Sequence, residues 1–222
     1  MRVLHVGYGF RPYRHGGLIF YAEDLMDGQV RRGHQVGYFF SGRHYPAGPR
    51  DRLKLWERHG VRMYEMQSPS LTFGGDSGTL TPQDDANHPP TENLFRSVLR
   101  EFHPDLVHIQ ELIGLPSSLI DIARAHGVPV VATLQDYLPL CPVLKLFDSE
   151  NRLCQRRDVG EQCARCSAHA PAGRAHFLNM TVAYELRTKV PSPWDGRILL
   201  TAQRGMELAR RLRRGNAPAT AA

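Results

Sequence analysis

The feature that most constrains this chain is the β–loop–α–β pattern of its first 40 residues. The apolar run Arg2–Gly7 predicts a buried strand. After a turn-rich loop, apolar residues recur at spacings of three and four from Leu18 to Val30, which predicts an amphipathic helix. Gly33 suits the C-terminal cap of that helix, and residues 34–40 predict a second strand. Because a helix joins the two strands, they are expected to run parallel in one sheet.

The same alternation continues along the chain. Further strands are expected at residues 61–66, 104–109 and 128–134. Helices are expected at residues 91–102, in a segment that ends near residue 126, and at 171–189. Residues 67–90 are polar and rich in Ser, Gly, Pro and Asp, and they predict a long loop. The alternation predicts an α/β fold with a doubly wound, mostly parallel, Rossmann-like sheet.

Ligands of such sheets bind at the carboxyl ends of the strands. Three loops meet this condition, since they follow the strands that end near Gly7, Ile109 and Leu134. The candidate substrate-binding residues at these ends are Gly16, Gly17, His108, Glu111, Gln135, Asp136 and Tyr137. A structural role is the alternative for two of them: His108 as a packed, hydrogen-bonded residue and Asp136 as a cap of the next turn.

Gly16 and Gly17 stand directly before the first helix. Glycine lets a ligand approach the backbone, and the start of a helix offers unpaired N–H groups and a partial positive charge. A phosphate group suits such a place, while a plain strand-to-helix turn is the alternative. The sequence is not a P-loop, because no Gly-Lys-Ser/Thr follows.

Four cysteines lie within 26 residues, with the spacing Cys141-x12-Cys154-x8-Cys163-x2-Cys166. A Cys-x2-Cys pair is the usual chelating unit of a zinc site, and two further cysteines complete a tetrahedral set. This spacing predicts a structural zinc ion. An iron–sulfur cluster and reduced thiols without metal are the two alternatives.

The formal net charge of +6 comes entirely from the end of the chain. Eight of the 28 basic and two of the 22 acidic side chains fall in residues 187–222, which leaves 20 of each sign in residues 1–186. Proteins that bind nucleic acid usually carry positive charge across a folded face. The charge distribution therefore argues against nucleic acid as a partner.

We predict one α/β domain over residues 1–190, including a cysteine-rich segment at 141–166, and a separate region over 191–222. The second region comprises a linker, a basic amphipathic helix at 198–214 and a disordered end. The basic helix suits contact with an anionic membrane surface, docking onto this domain or a partner, or a solvated end.

No apolar run approaches the roughly 18 residues of a membrane-spanning helix. The first residues reach a glycine too soon for a signal peptide. We therefore expect a cytoplasmic protein, with the basic helix as the candidate for peripheral membrane contact.

Several short motifs, taken in order, resemble the amino-terminal domain of retaining GT-B glycosyltransferases of family 4. They are the Pro12-x3-Gly16-Gly17 loop, the helix end formed by Leu25, Gly33, His34 and Val36, the segments 104–109 and 127–131, the stretch 133–137, and Leu140-Cys141-Pro142. One branch of this family has Cys-Pro followed by a downstream cysteine group. The resemblance covers roughly residues 1–185, except for the polar loop.

The resemblance implies transfer of a sugar from a nucleotide diphosphate sugar to an acceptor hydroxyl. It also implies that this domain shapes the acceptor site and that the Gly16-Gly17 loop lies near the donor phosphates. In this family a carboxy-terminal domain holds most of the nucleotide, and the transfer itself normally needs no divalent metal.

Two departures from the family pattern affect the functional prediction. Gln135 stands before Asp136 where the family commonly has His, and Gln hydrogen-bonds but does not titrate. No counterpart of the Arg/Lys pair or the Glu-x7-Glu motif of the carboxy-terminal domain is present. The first hypothesis is an acceptor-side subunit that needs a donor-binding partner in trans.

Three alternatives remain to the split enzyme, so whether the chain catalyses a reaction stays open. One is a non-catalytic scaffold that binds a sugar or another protein partner within a glycosylation system. The others are a truncated or remnant reading frame and a small metal-stabilised nucleotide-binding protein.

Overall fold

The computed structural model of the chain describes residues 1–45, 49–70, 82–148, 150–156, 158, 160–167, 173–191, 194, 197, 198 and 201. The strands are β1 (Arg2–Gly7), β2 (Gln35–Ser41), β3 (Arg52–Arg58), β4 (Val61–Gln67), β5 (Leu106–Ile109) and β6 (Val130–Ala132). The helices are α1 (Gly17–Arg31), α2 (Pro82–Ala86), α3 (Pro89–Phe102), α4 (Ser118–Ala125), α5 (Glu161–Ser167) and α6 (Gly173–Lys189).

The six strands form one sheet in the order β3-β4-β2-β1-β5-β6. All neighbouring pairs are parallel except β3 and β4, which are antiparallel. The predicted mostly parallel α/β sheet is therefore confirmed, with β1 at its centre. Because the parallel strands share one direction, the loops that follow them emerge at one edge of the sheet, called here the carboxyl edge.

Strand β3 was not predicted from the sequence patterns. Its residues alternate between charged and apolar side chains and are mostly exposed, as expected of an edge strand. A two-residue turn joins it to β4, and both turn residues, His59 and Gly60, have positive φ angles of 50° and 77°. Two such residues in succession favour a tight β-hairpin, which explains the antiparallel pairing.

Alternate residues of the central strands face two separate apolar layers. On β2, Phe39 packs into the layer covered by α3 and α4. Its neighbours Tyr38 and Phe40 face the opposite layer, together with Met26 of α1. Burial on both faces explains why the central strands are continuous apolar runs rather than alternating ones.

The edge strand β6 is shorter than the predicted strand at residues 128–134. Only Val130–Ala132 pair with β5, and Val131 is 45% exposed. Within the part of the chain that the structure describes, no further strand lies beyond β6. Without that neighbour, the apolar side chains of β6 and of the loop that follows remain at the surface.

Helix α3 begins two residues before the predicted start at Thr91. His88 caps it, because its side chain accepts a hydrogen bond from the backbone N–H of Thr91, and proline follows at the first turn. Histidine is not among the usual N-cap residues, so the sequence pattern missed this start. The predicted loop at 67–90 also contains the short helix α2, while its residues 71–81 lie outside the described part.

Helix α6 agrees with the predicted helix at 171–189 and packs against the carboxyl edge. The Tyr184 ring lies 4.5 Å from the ring of Tyr13, and Arg187 donates a hydrogen bond to the Tyr13 carbonyl over 3.1 Å. Glu185 forms an ion pair with Arg43 just beyond β2. These contacts attach α6 to the loops that follow β1 and β2.

The predicted basic helix at 198–214 lies almost entirely outside the described residues. Its contact with a membrane or a partner, the domain boundary near residue 190 and the cytoplasmic location therefore stay predictions. No helix in the described ranges is both long enough and apolar enough to cross a membrane.

Candidate functional site

The β1–α1 loop brings the glycine pair to the carboxyl edge. Gly16 has φ 126° and ψ 164°, a conformation that L side chains rarely adopt, and it forms the N-cap of α1. Its carbonyl accepts hydrogen bonds from the backbone N–H groups of Ile19 and Phe20. A Cβ atom built on Gly16 or Gly17 would meet no atom within 4 Å, so the space above this helix start is open.

Two sets of contacts fix the β1–α1 loop. Glu23 of α1 accepts a hydrogen bond from the backbone N–H of Arg11 over 2.7 Å and forms ion pairs with the side chains of Arg11 and Arg58. The Tyr38 hydroxyl accepts from the Gly9 N–H over 3.0 Å and donates to the Gly9 carbonyl over 2.8 Å. A loop held in this way presents its ligand-facing groups in one arrangement.

The structure brings two predicted site residues, Glu111 and Asp136, into contact. Glu111 follows β5, is 6% exposed and accepts a hydrogen bond from the Leu112 N–H over 2.7 Å. Asp136 follows β6, hydrogen-bonds the Glu111 side chain and accepts from the Leu138 N–H over 2.8 Å. A carboxylate beside a buried carboxyl group favours the protonated form of that group, here Glu111.

Burial and the adjacent Asp136 both raise the pKa of Glu111 above its ordinary value of 4.5. Burial disfavours the charged carboxylate, and a second carboxylate beside it adds like-charge repulsion. The pair is therefore able to accept or donate a proton at a pH where two isolated carboxyl groups would both be ionised.

A row of hydrogen bonds crosses the sheet beside this pair. The Gln29 side-chain oxygen accepts a hydrogen bond from His5 Nε2 over 2.7 Å. The Gln110 amide nitrogen lies 2.8 Å from His5 Nδ1 and 3.2 Å from His108 Nδ1. At the other end of the row, His108 Nε2 lies 2.8 Å from the Thr133 hydroxyl. Because the Gln110 amide donates to both rings, each ring accepts at Nδ1 and carries its proton on Nε2. His108 therefore lies in a packed, hydrogen-bonded row, as its alternative interpretation proposed.

Burial keeps both imidazole rings of this row neutral. It lowers the pKa of His5 to about 4, and it also lowers the pKa of the half-buried His108. Neutral rings match the direction of the hydrogen bonds, since a protonated ring would place a donor against the Gln110 amide. The row therefore acts as a fixed support for Thr133 and the loop after β6.

The remaining predicted residues, Gln135 and Tyr137, lie on the loop after β6. The Gln135 side chain is partly buried, and its Nε2 has no hydrogen-bond partner among the described residues. Tyr137 is 52% exposed, and its carbonyl accepts from the Leu140 and Cys141 N–H groups. This turn leaves the Tyr137 ring at the surface beside the carboxyl edge.

Buried polar atoms without a partner concentrate at the carboxyl edge of the described structure. Those on the loops after β1, β2, β5 and β6 are Tyr13 Oη, Arg14 Nε, Arg43 Nε, Gln110 Oε1 and Gln135 Nε2. A buried polar atom that lacks a hydrogen bond costs stability, so native proteins usually satisfy it with protein, water or ligand. These atoms at the ends of the strands are therefore available to water or to a polar ligand.

Arg14 and Arg43 were not among the sequence-predicted site residues. Arg14 lies directly after Tyr13 and two residues before the glycine pair, which was the available signal in the sequence. In the structure its guanidinium lies over the rings of Tyr8 and Tyr13. Arg43 follows β2 directly, at a strand end whose loop carried no recognisable motif. The sequence alone does not distinguish either arginine from an ordinary solvent-exposed arginine, because only the folded structure shows how far each side chain is buried.

The four cysteines carry free thiols. Cys163 and Cys166 lie one turn apart on α5, and Cys141 and Cys163 are buried. Across the described ranges, no three His, Cys, Asp or Glu side chains are grouped closely enough to hold a metal ion. The zinc site and its iron–sulfur alternative therefore stay predictions.

Comparison with known proteins identifies a matching family and a similar bacterial protein. The family described as "Glycosyl transferase 4-like domain" matches residues 16–194. A relative from Klebsiella pneumoniae, named as a 42.6 kDa protein in cps region, is 21% identical over 160 residues. That similarity covers 69% of this chain and 41% of the relative, so the chain spans about two fifths of the relative's length.

The contact between the carboxyl groups predicts an unusual titration of Glu111. Followed by carbon-13 NMR of its side-chain carboxyl, Glu111 should titrate well above 4.5, and Asp136→Asn should lower this midpoint because the like charge is removed. Because the pKa of Glu111 is higher in the folded state than in the unfolded state, ionisation of this carboxyl group destabilises the fold. The free energy of unfolding should therefore fall as the pH rises above 4.5 through the folded-state pKa of Glu111.

The exposed Asp24 of α1 provides a matched control, since Asp24→Asn removes a carboxylate elsewhere on the domain. This variant should leave the Glu111 midpoint unchanged. A wild-type midpoint near 4.5, or a midpoint that Asp136→Asn does not move, would contradict the paired arrangement.

Proposed function

The chain belongs to the glycosyl transferase 4-like domain family, and on this basis we propose that it forms the acceptor-side half of a retaining, nucleotide-sugar-dependent glycosyltransferase. The α/β domain at residues 1–190 carries this role. The observation that supports it most strongly is the contact between Glu111 and Asp136 at the carboxyl edge, where loops after three parallel strands converge.

The donor substrate in this proposal is a nucleotide diphosphate sugar. Its phosphates approach the start of α1, where Gly16 and Gly17 leave open space and no acidic residue lies in the first turn. The partial positive charge of the helix start and its free N–H groups suit a phosphate. This contact orients the donor, while most of the nucleotide is held elsewhere.

The acceptor hydroxyl binds at the Glu111–Asp136 pair. An ionised oxygen of the pair accepts the hydrogen bond of the hydroxyl, and the shared proton lets the pair buffer the charge that develops during transfer. The unpartnered Nε2 of Gln135 is available to donate a hydrogen bond to a sugar oxygen nearby. Tyr137 offers an exposed ring for packing against the sugar.

A donor-binding half completes the cleft, and we propose that a partner polypeptide supplies it. The loop after β6 exposes the apolar side chains of Leu134, Tyr137 and Leu140, which are 77%, 52% and 63% accessible. Exposed apolar side chains at the rim of a ligand site suit a protein interface. The relative in Klebsiella pneumoniae extends well beyond the length matched by this chain.

A non-catalytic scaffold remains the second candidate, because Gln135 occupies the position where the family commonly has His. A glutamine at that position binds sugars through hydrogen bonds but transfers no proton at neutral pH. The raised pKa of the neighbouring Glu111 supplies proton chemistry that Gln135 lacks, and this favours the enzymatic proposal.

For the cysteine segment, we propose a structural zinc ion bound by Cys141, Cys154, Cys163 and Cys166. The support is the spacing of the four residues, their free thiols and the one-turn separation of Cys163 and Cys166 on α5. The described side chains do not form a complete ligand set, so metal binding requires the four cysteines to come closer to one another.

The enzymatic proposal predicts selective losses of transfer in the presence of the donor half. Asp136→Asn should lower kcat/KM by about 10²-fold, because it removes a proton-handling group. Gln135→Ala should lower it about tenfold through loss of one hydrogen bond, and Gly16→Val should block the open space at α1. Rates are measured with a nucleotide sugar and the co-purified partner.

The exposed Asp24→Asn variant is the matched control and should transfer at the wild-type rate. Full activity of Gln135→Ala and Gly16→Val alongside the control would make the enzymatic proposal wrong. Sugar binding that persists without transfer in any combination of chains would instead support the scaffold.

The zinc proposal predicts about one equivalent of zinc per chain by elemental analysis of purified protein. The double variant Cys163→Ser, Cys166→Ser should lose this metal, because a single remaining pair of thiols does not complete a tetrahedral site. Fewer than half an equivalent of zinc and iron together in the wild-type chain would rule the metal site out.

A further inference from the structure

Helix α6 covers the carboxyl ends of β1 and β2, yet none of the side chains described for it is buried. From Leu178 to Lys189 every residue is partly or fully exposed, and the apolar side chains of Leu178 and Val182 lie at the surface. By contrast, α1, α3 and α4 each bury several of their own side chains. Helix α6 therefore lacks the apolar burial that normally holds a helix to its domain.

The attachments of α6 are polar and aromatic contacts to the loops that follow β1 and β2. Tyr184 and Arg187 contact Tyr13 on the first loop, through the ring and the backbone carbonyl respectively. On the second loop, α6 donates a hydrogen bond to the His44 carbonyl over 2.6 Å and forms an ion pair with Arg43. Partly exposed ion pairs and single hydrogen bonds contribute little each, so these contacts hold α6 weakly.

A group of polar side chains lies beneath α6, and we call Tyr13, Arg14, Arg43 and Glu65 the polar layer. All except Arg43 are more than nine-tenths buried. The Arg14 guanidinium lies 4.3 Å from the Tyr13 ring centre, and the Glu65 carboxylate accepts a hydrogen bond from the Arg43 N–H over 2.9 Å. Tyr184 closes over this layer, since its ring centre lies 4.5 Å from that of Tyr13 and 5.5 Å from the Arg43 guanidinium.

With α6 in this closed position, the polar layer contains donors without acceptors. Within the described ranges, Tyr13 Oη, Arg14 Nε and Arg43 Nε have no hydrogen-bond partner. Burial raises the pKa of Tyr13, and it raises the pKa of Tyr184 to about 12. Contact with water or a polar ligand stabilises such groups, and displacement of α6 would provide it.

From these observations we infer that α6 is a lid, which alternates between the closed position and an open one that exposes the polar layer. The two positions are close in free energy, because closure gains weak contacts but leaves polar atoms unpartnered. A polar ligand that pairs with Arg43 or Tyr13 favours the open position. Entry of the acceptor through this opening rests on the proposed function, whereas the motion itself does not.

Hydrogen exchange of the full chain, measured by mass spectrometry, tests whether α6 opens. A helix of 17 residues without tertiary support is only marginally stable in water, so the α6 amides exchange whenever the lid opens. They should exchange about tenfold faster, or more, than the amides of α1 and α3.

Hydroxyl-radical labelling of side chains tests whether opening uncovers the polar layer. Tyr13 and Tyr38 are matched, because each is 1% exposed, but Tyr38 lies beneath α1 in the apolar layer. A lid predicts faster oxidation of Tyr13 than of Tyr38, whereas a fixed α6 protects both rings alike.

A conservative variant should shift the lid towards the open position. Glu185→Gln keeps the shape of the side chain and removes its ion pairs with Arg43 and Lys189. It should raise both the exchange of α6 and the labelling of Tyr13 by about threefold. Glu101→Gln is the matched control, since it removes an ion pair with Arg62 elsewhere on the domain and should change neither rate.

Exchange of α6 as slow as that of α1 and α3 would overturn the inference. Fast exchange with Tyr13 as protected as Tyr38 would also overturn it, because the helix would then fray without uncovering the layer. Equal effects of Glu185→Gln and Glu101→Gln would show general loosening instead of a lid. Failure of sugar transfer while the lid opens as expected would contradict the proposed function alone, so the two failures are distinguishable.

Discussion

The parallel pairing of β1 with β2 on one side and β5 on the other is the constraint on which the rest of this structure depends. Parallel neighbours share one direction, and burial on both faces leaves the edges of the sheet as the places for polar loops. The glycine pair, the Glu111–Asp136 contact and Arg14 come from three separate stretches of sequence. All three stretches lie at the carboxyl edge because β1, β5 and β6 all end there.

Burial affects the charge of the polar groups at this edge in different ways. The buried row from His5 to Thr133 is hydrogen-bonded and neutral, so it fixes the geometry of the strand ends. The Glu111–Asp136 pair keeps a proton that separate carboxylates would lose. Arg14 keeps a charge with no partner among the described residues. A rigid support beside a protonated pair and a free cation is an arrangement suited to binding a charged, hydroxyl-rich ligand.

Sequence patterns predicted those parts of the fold whose signal is local. The first β–α–β unit and β5 were found because apolar periodicity and glycine caps lie within single segments. Strand β3 was missed because its charged, alternating residues resemble a polar loop, and only the tight turn before β4 pairs it with the sheet. The fold class was confirmed, and so was the resemblance to family 4 glycosyltransferases.

The candidate site was predictable only in part, for a physical reason. Glu111 and Asp136 were each placed at a strand end, but their contact depends on the pairing of Ile109 with Ala132 between β5 and β6. The buried state of Arg14 depends on aromatic rings from its own loop closing over it, which no spacing reveals. Burial and pairing are properties of the assembled sheet, so sequence alone does not distinguish these side chains from solvated ones.

The central claim is that the carboxyl edge binds a nucleotide sugar, and NMR mapping on the full chain tests it most directly. Titration with a nucleotide diphosphate sugar should shift the backbone amide signals of Gly16, Gly17, Glu111 and Asp136. The β3–β4 turn at His59 and Gly60 lies at the opposite edge of the sheet from the carboxyl edge, so its amide signals should remain unchanged. Shifts confined to that turn, or no shifts at saturating ligand, would contradict the claim.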